Sequence, residues 1–323
     1  MGRLQVVYIM KIQMDFTPTE FWKNFRLGTE LSISGNFIYN GLYNFDLMSH
    51  FYYEEEAFEV LYNISVGIER LQKICIVLLE HTDNTNQEKF EESLISHNLD
   101  DLNQRIEKHR KINLGKNHKK LISLLTKFYK SSRYEMYQIE SAYRPNQSKL
   151  QLIKFLEESL NIEISVDMLG CTSNSDRIKR FVGKTVGKFC KEYYKIIRDE
   201  CYRLKLFTYE IPYESKAFKI FISEKYDFSE EKIVQKEILK YLIQSEIPQG
   251  FKNYLNEHSP LELEMYDTNY YLERLISFHK EYSIKGEIEE LYTELDNVKE
   301  RFEHLKPIGN SDFGFEHDNE EEE

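Results

Sequence analysis

The chain has 323 residues, 41% of them hydrophobic, which is enough apolar material for a core and rules out wholesale disorder. Only 13 residues are Gly and 6 are Pro while 30% are charged, a balance that favours helices and counts against an all-β sandwich. A net charge of −12 excludes a chain-wide basic footprint for nucleic acid and leaves room for a local one only.

Thr17-Pro18-Thr19-Glu20 has the form of a helix start, with Thr17 as cap, Pro18 at the first helical position and Glu20 closing a capping box; a helix over 18–32 follows. Residues 33–52, rich in Asn, Tyr and Phe, give no clear pattern. The strongest element spans 54–82, where apolar residues from Phe58 to Leu79 cover more than one face, as in a central helix. A short helix is expected at 88–95 and another at about 99–112, started by Asn98 or Asp100. Further helices are expected over 118–136, 148–160 and 176–204, the last capped by Ser175 or Asp176. Leu206–Ile211 and Lys216–Ile222 are β-rich runs around Pro212-Tyr213-Glu214-Ser215 and read as a hairpin. Helices over 229–245, 260–280 and 284–305 complete the chain. In the last, Ile284, Ile288, Leu291, Leu295, Val298, Phe302 and Leu305 form a seam of heptad spacing, suited to a homodimer or partner helix and equally to packing on its own domain. The acidic end 316–323 reads as a solvated, disordered tail.

No apolar run reaches the ~18–20 residues of a membrane helix, and Lys11 interrupts the N-terminal apolar stretch. Val6 stands where a myristoylation pattern needs Ser or Thr. The expectation is a soluble, cytoplasmic chain with no membrane contact. Cys75, Cys190 and Cys201 lie in apolar helical stretches and read as core thiols; Cys171 shares no CxxC spacing with them. The nine histidines have no metal-ligand spacing, so neither a metal nor a cofactor is expected. Gly183-Lys184-Thr185 lacks the earlier glycine of a phosphate loop, Ile178 standing in its place. Around it Lys179, Arg180, Lys184, Lys188 and Lys191 give one helix a basic face, either for nucleic acid or simply solvated.

Three segments in order resemble the HEPN family of small α-helical domains: Val66-Gly67-Ile68-Glu69-Arg70-Leu71-Gln72-Lys73, Ser96-His97-Asn98-Leu99-Asp100-Asp101-Leu102, and Phe128-Tyr129-Lys130-Ser131-Ser132-Arg133-Tyr134. The first is similar to the signature of the class that pairs with minimal nucleotidyltransferases. The third resembles the family's "RYP" ending, with Glu135 in place of proline. The resemblance implies a bundle of helices, commonly dimeric, and in many members a metal-independent ribonuclease whose motif is Arg, four to six residues, then His. Arginine stabilises the phosphorane charge and histidine moves the proton. Within 55–205 that spacing is missing: Arg105 and His109 have three residues between them. The literal match is Arg274 and His279, outside the similar region. The candidate catalytic residues are therefore Arg274 and His279, then Arg133, Arg105 and His109.

The expected fold is mainly α, a HEPN-like helical bundle with one β-hairpin and a C-terminal helical extension. Its plan is an N-terminal helical segment (1–54), the bundle (55–205), the hairpin (206–228), a C-terminal helical region (229–306) and the tail (307–323). Two functions stay open. One is a HEPN-like metal-independent RNA endonuclease or toxin-like component of a bacterial toxin–antitoxin or phage-defence system. The other is a catalytically silent module binding nucleotide, RNA or a partner protein, such as a nucleotidyltransferase or another defence subunit.

Overall fold

The computed structural model describes residues 16–139, 147–167, 170–244, 249–263, 267–276 and 282–310. The chain is mainly α-helical. It divides into two compact units, Met1–Asp227 and Phe228–Glu323. Among the described residues, no helix is long and apolar enough to cross a membrane.

The first unit opens as the sequence leads one to expect. In α1 (Pro18–Phe21) the Glu20 amide donates to Thr17 Oγ1, and the Thr17 amide donates to the Glu20 carboxylate. A π-helical turn, Trp22–Arg26, joins α1 to α2 (Leu27–Leu47), so the chain stays helical through most of the unclear stretch 33–52. There α2 lies antiparallel to α3 (Glu54–Glu80), with Gly41 against Ile64 and Gly67 against Ile38. A Cβ on Gly41 would stand 2.7 Å from Ile64 Cγ1, and one on Gly67 2.5 Å from Ile38 Cγ1. The two glycines let the backbones approach, and Ser34 Oγ donates to the Gly67 carbonyl across the contact at 2.7 Å. At the end of α2, the Asn174 side-chain amide donates to the free carbonyls of Phe45 and Met48.

Helix α3 is the hub. Around it pack α2, α5 (Leu99–Glu107), α6 (Lys116–Lys130), α7 (Gln147–Leu160) and α8 (Asp176–Leu204), while α4 (Gln87–Ser93) follows directly in sequence. Its apolar residues face several neighbours, and Ile64, Ile68, Leu71, Ile74, Cys75 and Leu78 are all buried. Asn86 caps α4 and Asn98 caps α5 through their side chains.

The expected hairpin is corrected. Residues 206–215 form turns, and Lys216–Phe221 is a short helix, α9. Ala217, Ile220 and Phe221, spaced i, i+3, i+4, are its buried face, a helical period hidden in a β-rich composition. Ser215, read as a turn residue, caps this helix by accepting from the Phe218 amide at 3.1 Å. Among the described residues the only β pairing is an isolated bridge between His50 and Ser173.

Gly183-Lys184-Thr185 lies inside α8, where no phosphate loop can form. Gly183 and Gly187 receive Tyr226, and a Cβ on Gly187 would stand 2.3 Å from its ring. Gly187→Ala is expected to lower stability by ~1–3 kcal/mol through overpacking, read as an earlier urea midpoint; an unchanged midpoint would mean that Tyr226 moves aside freely.

The second unit holds α10 (Ser229–Gln244), α11 (Gln249–Asn256), α12 (Thr268–Ile276), α13 (Tyr282–Thr293) and α14 (Val298–Leu305). The single helix expected over 284–305 is broken at 294–297, where Asp296 and Asn297 form a turn and Asn297 precedes α14. The seam is split there, and Leu295, Phe302 and Leu305 stand exposed. Helix α10 buries none of its residues. The acidic run 316–323 and His279 lie outside the described residues.

Candidate active site

Tyr62, Glu69 and Lys73 recur at i, i+7 and i+11 and so share one side of α3. The Glu69 side chain is only 8% exposed, and a carboxylate there needs partners. It has two: Lys73 Nζ donates to Oε1 at 2.6 Å, and His97 Nδ1 donates to Oε2 at 3.1 Å. A carboxylate only accepts, which fixes the proton on Nδ1 of His97 and leaves Nε2 as the exchangeable nitrogen. His97 sits just before α5, one residue ahead of the Asn98 cap, and its side chain is 49% exposed.

Tyr129 of α6 closes the cluster. Its ring meets the His97 ring edge-on at 5.0 Å and the Tyr62 ring at 6.2 Å. The Arg133 guanidinium lies 4.0 Å from the Tyr129 ring centroid and 4.6 Å from that of Tyr134. Arg133 Nε is buried without a hydrogen-bond partner among the described residues. Burial pushes the Tyr129 hydroxyl above its ordinary range; the Glu69 charge adds to this and Arg133 opposes it. The phenol therefore stays protonated at neutral pH. The cluster offers a proton-exchanging imidazole oriented by a carboxylate, beside two cations suited to an anionic substrate.

The other candidates lie elsewhere. Arg105 and His109 do meet, but on the Glu80 carboxylate at the end of α3. Arg105 reaches it through Nε at 2.9 Å and Nη2 at 2.6 Å, and His109 Nε2 at 3.1 Å. Arg105 Nη1 also donates to the Ser93 carbonyl, so this group clamps α3, α4 and α5 together. Burial works to raise the Glu80 carboxyl; the hydrogen bonds and charges of Arg105 and His109 outweigh it and hold the group below its usual range. A depressed carboxyl contributes stability that is full above the unfolded value of ~4.3 and is lost as pH falls through the folded one. Glu80→Gln is thus expected to lower Tm at pH 7, with the gap to the natural chain closing as pH falls below about 4. A gap that stays constant with pH would refute the charge-based account.

On α12 the Arg274 guanidinium lies 3.3 Å from the Tyr270 ring centroid and donates to the Tyr270 carbonyl. Most of the basic face of α8 is engaged within the protein. Lys179 donates to the Asp46 carbonyl, Arg180 to the Asp176 carbonyl, Lys188 to Glu192 at 2.6 Å and Lys191 to Glu224 at 2.7 Å. Lys184 is exposed and has no ion pair among the described residues. Cys75, Cys190 and Cys201 are buried free thiols, and burial pushes each one up, Cys201 to about 11. Among the described residues no group of three or more His, Cys, Asp or Glu is placed to hold a metal ion.

Of this cluster only Arg133 stands among the residues the sequence singles out; Glu69, His97 and Tyr129 do not, although all three lie in the HEPN-like segments. Glu69 and Lys73 show their pairing by i, i+4 spacing. His97, 28 residues away from Glu69, gives no such signal.

The fold and the cluster define a mainly α-helical protein with a buried carboxylate, a half-exposed imidazole and two cations on the side of its central helix. Comparison with family models, with curated proteins and with solved structures gave no match.

Proposed function

We propose that the chain is a HEPN-like ribonuclease, a toxin-like component of a bacterial toxin–antitoxin or phage-defence system, and that it cleaves RNA at the cluster of Glu69, His97, Tyr129 and Arg133. One observation carries the reading. The three segments through which the sequence resembles that family meet in this cluster, the first through Glu69 and Lys73, the second through His97, the third through Tyr129 and Arg133. In this reading His97 takes the proton of the ribose 2′-hydroxyl, the 2′-oxygen bonds to phosphorus, and the 5′-oxygen leaves with the proton that His97 returns. Lys73 and Arg133 offset the charge on the phosphorane, and Glu69 orients the imidazole. The products are a 2′,3′-cyclic phosphate and a 5′-hydroxyl.

The silent-module reading is favoured by a different feature: Lys73 is already held by Glu69, which leaves Arg133 as the one cation of the cluster outside an ion pair among the described residues. Incubation of the full chain with total RNA and tRNA in EDTA separates the two. Cleavage ending in cyclic phosphate supports the nuclease. RNA or nucleotide binding without cleavage selects the module.

A further inference from the structure

A groove of about 760 Å³ runs between α6 and α7. Lys116, Lys119, Lys120 and Lys127 of α6 and Lys154 of α7 line it, with Glu158 its single acid. Leu124 and Phe155, both buried, form an apolar floor beside Leu114. Five lysines around one opening are conspicuous in a chain of net charge −12. Glu158 holds Lys120 at 2.6 Å and approaches Lys154 at 4.0 Å. Lys116 lies near enough to Glu158 to help Lys120 hold its carboxyl down, whereas Lys119 and Lys127 are exposed and have no ion pair among the described residues. Like charges along one opening repel one another, and an anionic occupant relieves that.

We propose that this groove docks an acidic amphipathic helix of a partner protein. Lys116 and Lys127 stand eleven residues apart, about 16 Å along α6 at 1.5 Å per residue, which matches three turns of a docked helix. A two-helix groove with an apolar floor accepts the i, i+3, i+4, i+7 face of such a helix, and flanking lysines select carboxylates on its borders. The lining argues against single-stranded nucleic acid as the occupant. It holds no arginine, and its one aromatic ring, Phe155, is 5% exposed, so no platform is offered for a base to stack upon. Partly exposed Leu114 and the aliphatic stems of the lysines, with Leu124 and Phe155 packed beneath, supply the apolar surface that suits aliphatic anchors. Occupancy of this groove does not depend on RNA cleavage at His97.

The test uses the full chain and three fluorescein-labelled probes: a 16-residue Glu/Leu peptide with leucine at i, i+3, i+4 and i+7, the same composition without that period, and a 16-nucleotide oligouridylate. The periodic peptide is expected to bind and to gain helical circular dichroism. The double variant Lys119→Glu/Lys127→Glu is expected to weaken it by about tenfold or more. Both side chains are exposed and unpaired, so the fold should persist, as far-ultraviolet dichroism checks, and ribonuclease activity should be unchanged. Equal binding of the aperiodic peptide would overturn the proposal, because charge alone would then explain it. Peptide affinity indifferent to the double variant would place the contact elsewhere and overturn it too. Oligouridylate binding lost in the double variant, with no peptide binding, would assign the groove to nucleic acid instead.

Discussion

His97→Ala is expected to lower the single-turnover rate of RNA cleavage in EDTA by ~10²–10⁴-fold, the range that a positioned acid–base group supplies. The fold should survive, since the side chain is 49% exposed and its removal opens no core cavity. Arg133→Ala is expected to cost ~10²–10³-fold, the range for removing one group that stabilises developing charge. Arg133→Lys should recover little of it, because lysine keeps the charge but neither the delocalised guanidinium over the Tyr129 ring nor the forked donors. Glu69→Gln should leave an imidazole whose tautomer is no longer fixed, and kcat should fall with KM little changed. Arg105→Ala is the informative contrast. It breaks the clamp on Glu80, so it should lower Tm while leaving the cleavage rate of the folded fraction unaltered. If His97→Ala cleaves at the natural rate and Arg105→Ala does not, the active site lies at the Glu80 cluster. If both variants cleave normally, neither cluster performs the chemistry.

The elements that could be read in the sequence are those whose cause is local. The capping box of Thr17 and Glu20, the Asn98 cap and the multi-faced apolar pattern of α3 are each contained within a few turns. The misreadings have tertiary causes. Helix α2 carries Gly35, Gly41 and several asparagines, a composition of low helix propensity, and close packing against Ile64 and Ala217 holds it. Helix α9 presents aromatic and β-branched residues that a strand would also use, and its capping serine passes equally for a turn. The heptad seam continues across Asp296 and Asn297 because the apolar register survives a turn that the spacing alone does not reveal. The site divides in the same way. Glu69 with Lys73 and Tyr129 with Arg133 are each one helical turn apart in sequence, whereas the meeting of the two pairs through His97 depends on how α3, α5 and α6 pack.

Tyr193→Ala is expected to destabilise the first unit by ~3–5 kcal/mol, the usual loss for an aromatic ring deleted from a core. Tyr193 is fully buried on α8 and its ring stacks on Phe189 at 6.1 Å. Its hydroxyl donates to Asn103 Oδ1 at 2.7 Å and accepts from Gln72 Nε2 at 2.9 Å, while Gln72 also donates to the Leu99 carbonyl. One phenol thus ties α8 to the hub α3 and to α5, the helix that His97 precedes. Tyr193→Phe keeps the ring and removes only the hydroxyl. It leaves Asn103 Oδ1 without its donor, and Gln72 keeps Leu99, so the expected cost is smaller, ~1–3 kcal/mol. The chain's single tryptophan, Trp22, lies in the same unit, packed edge-on against the His81 ring at 5.1 Å. Its fluorescence in urea therefore reports this unit without contribution from a second tryptophan. Equal losses in the two variants would assign the whole effect to the hydroxyl and its hydrogen bonds, and none to ring packing. A Tyr193→Ala midpoint equal to that of the natural chain would refute the placement of this side chain at the junction of the three helices.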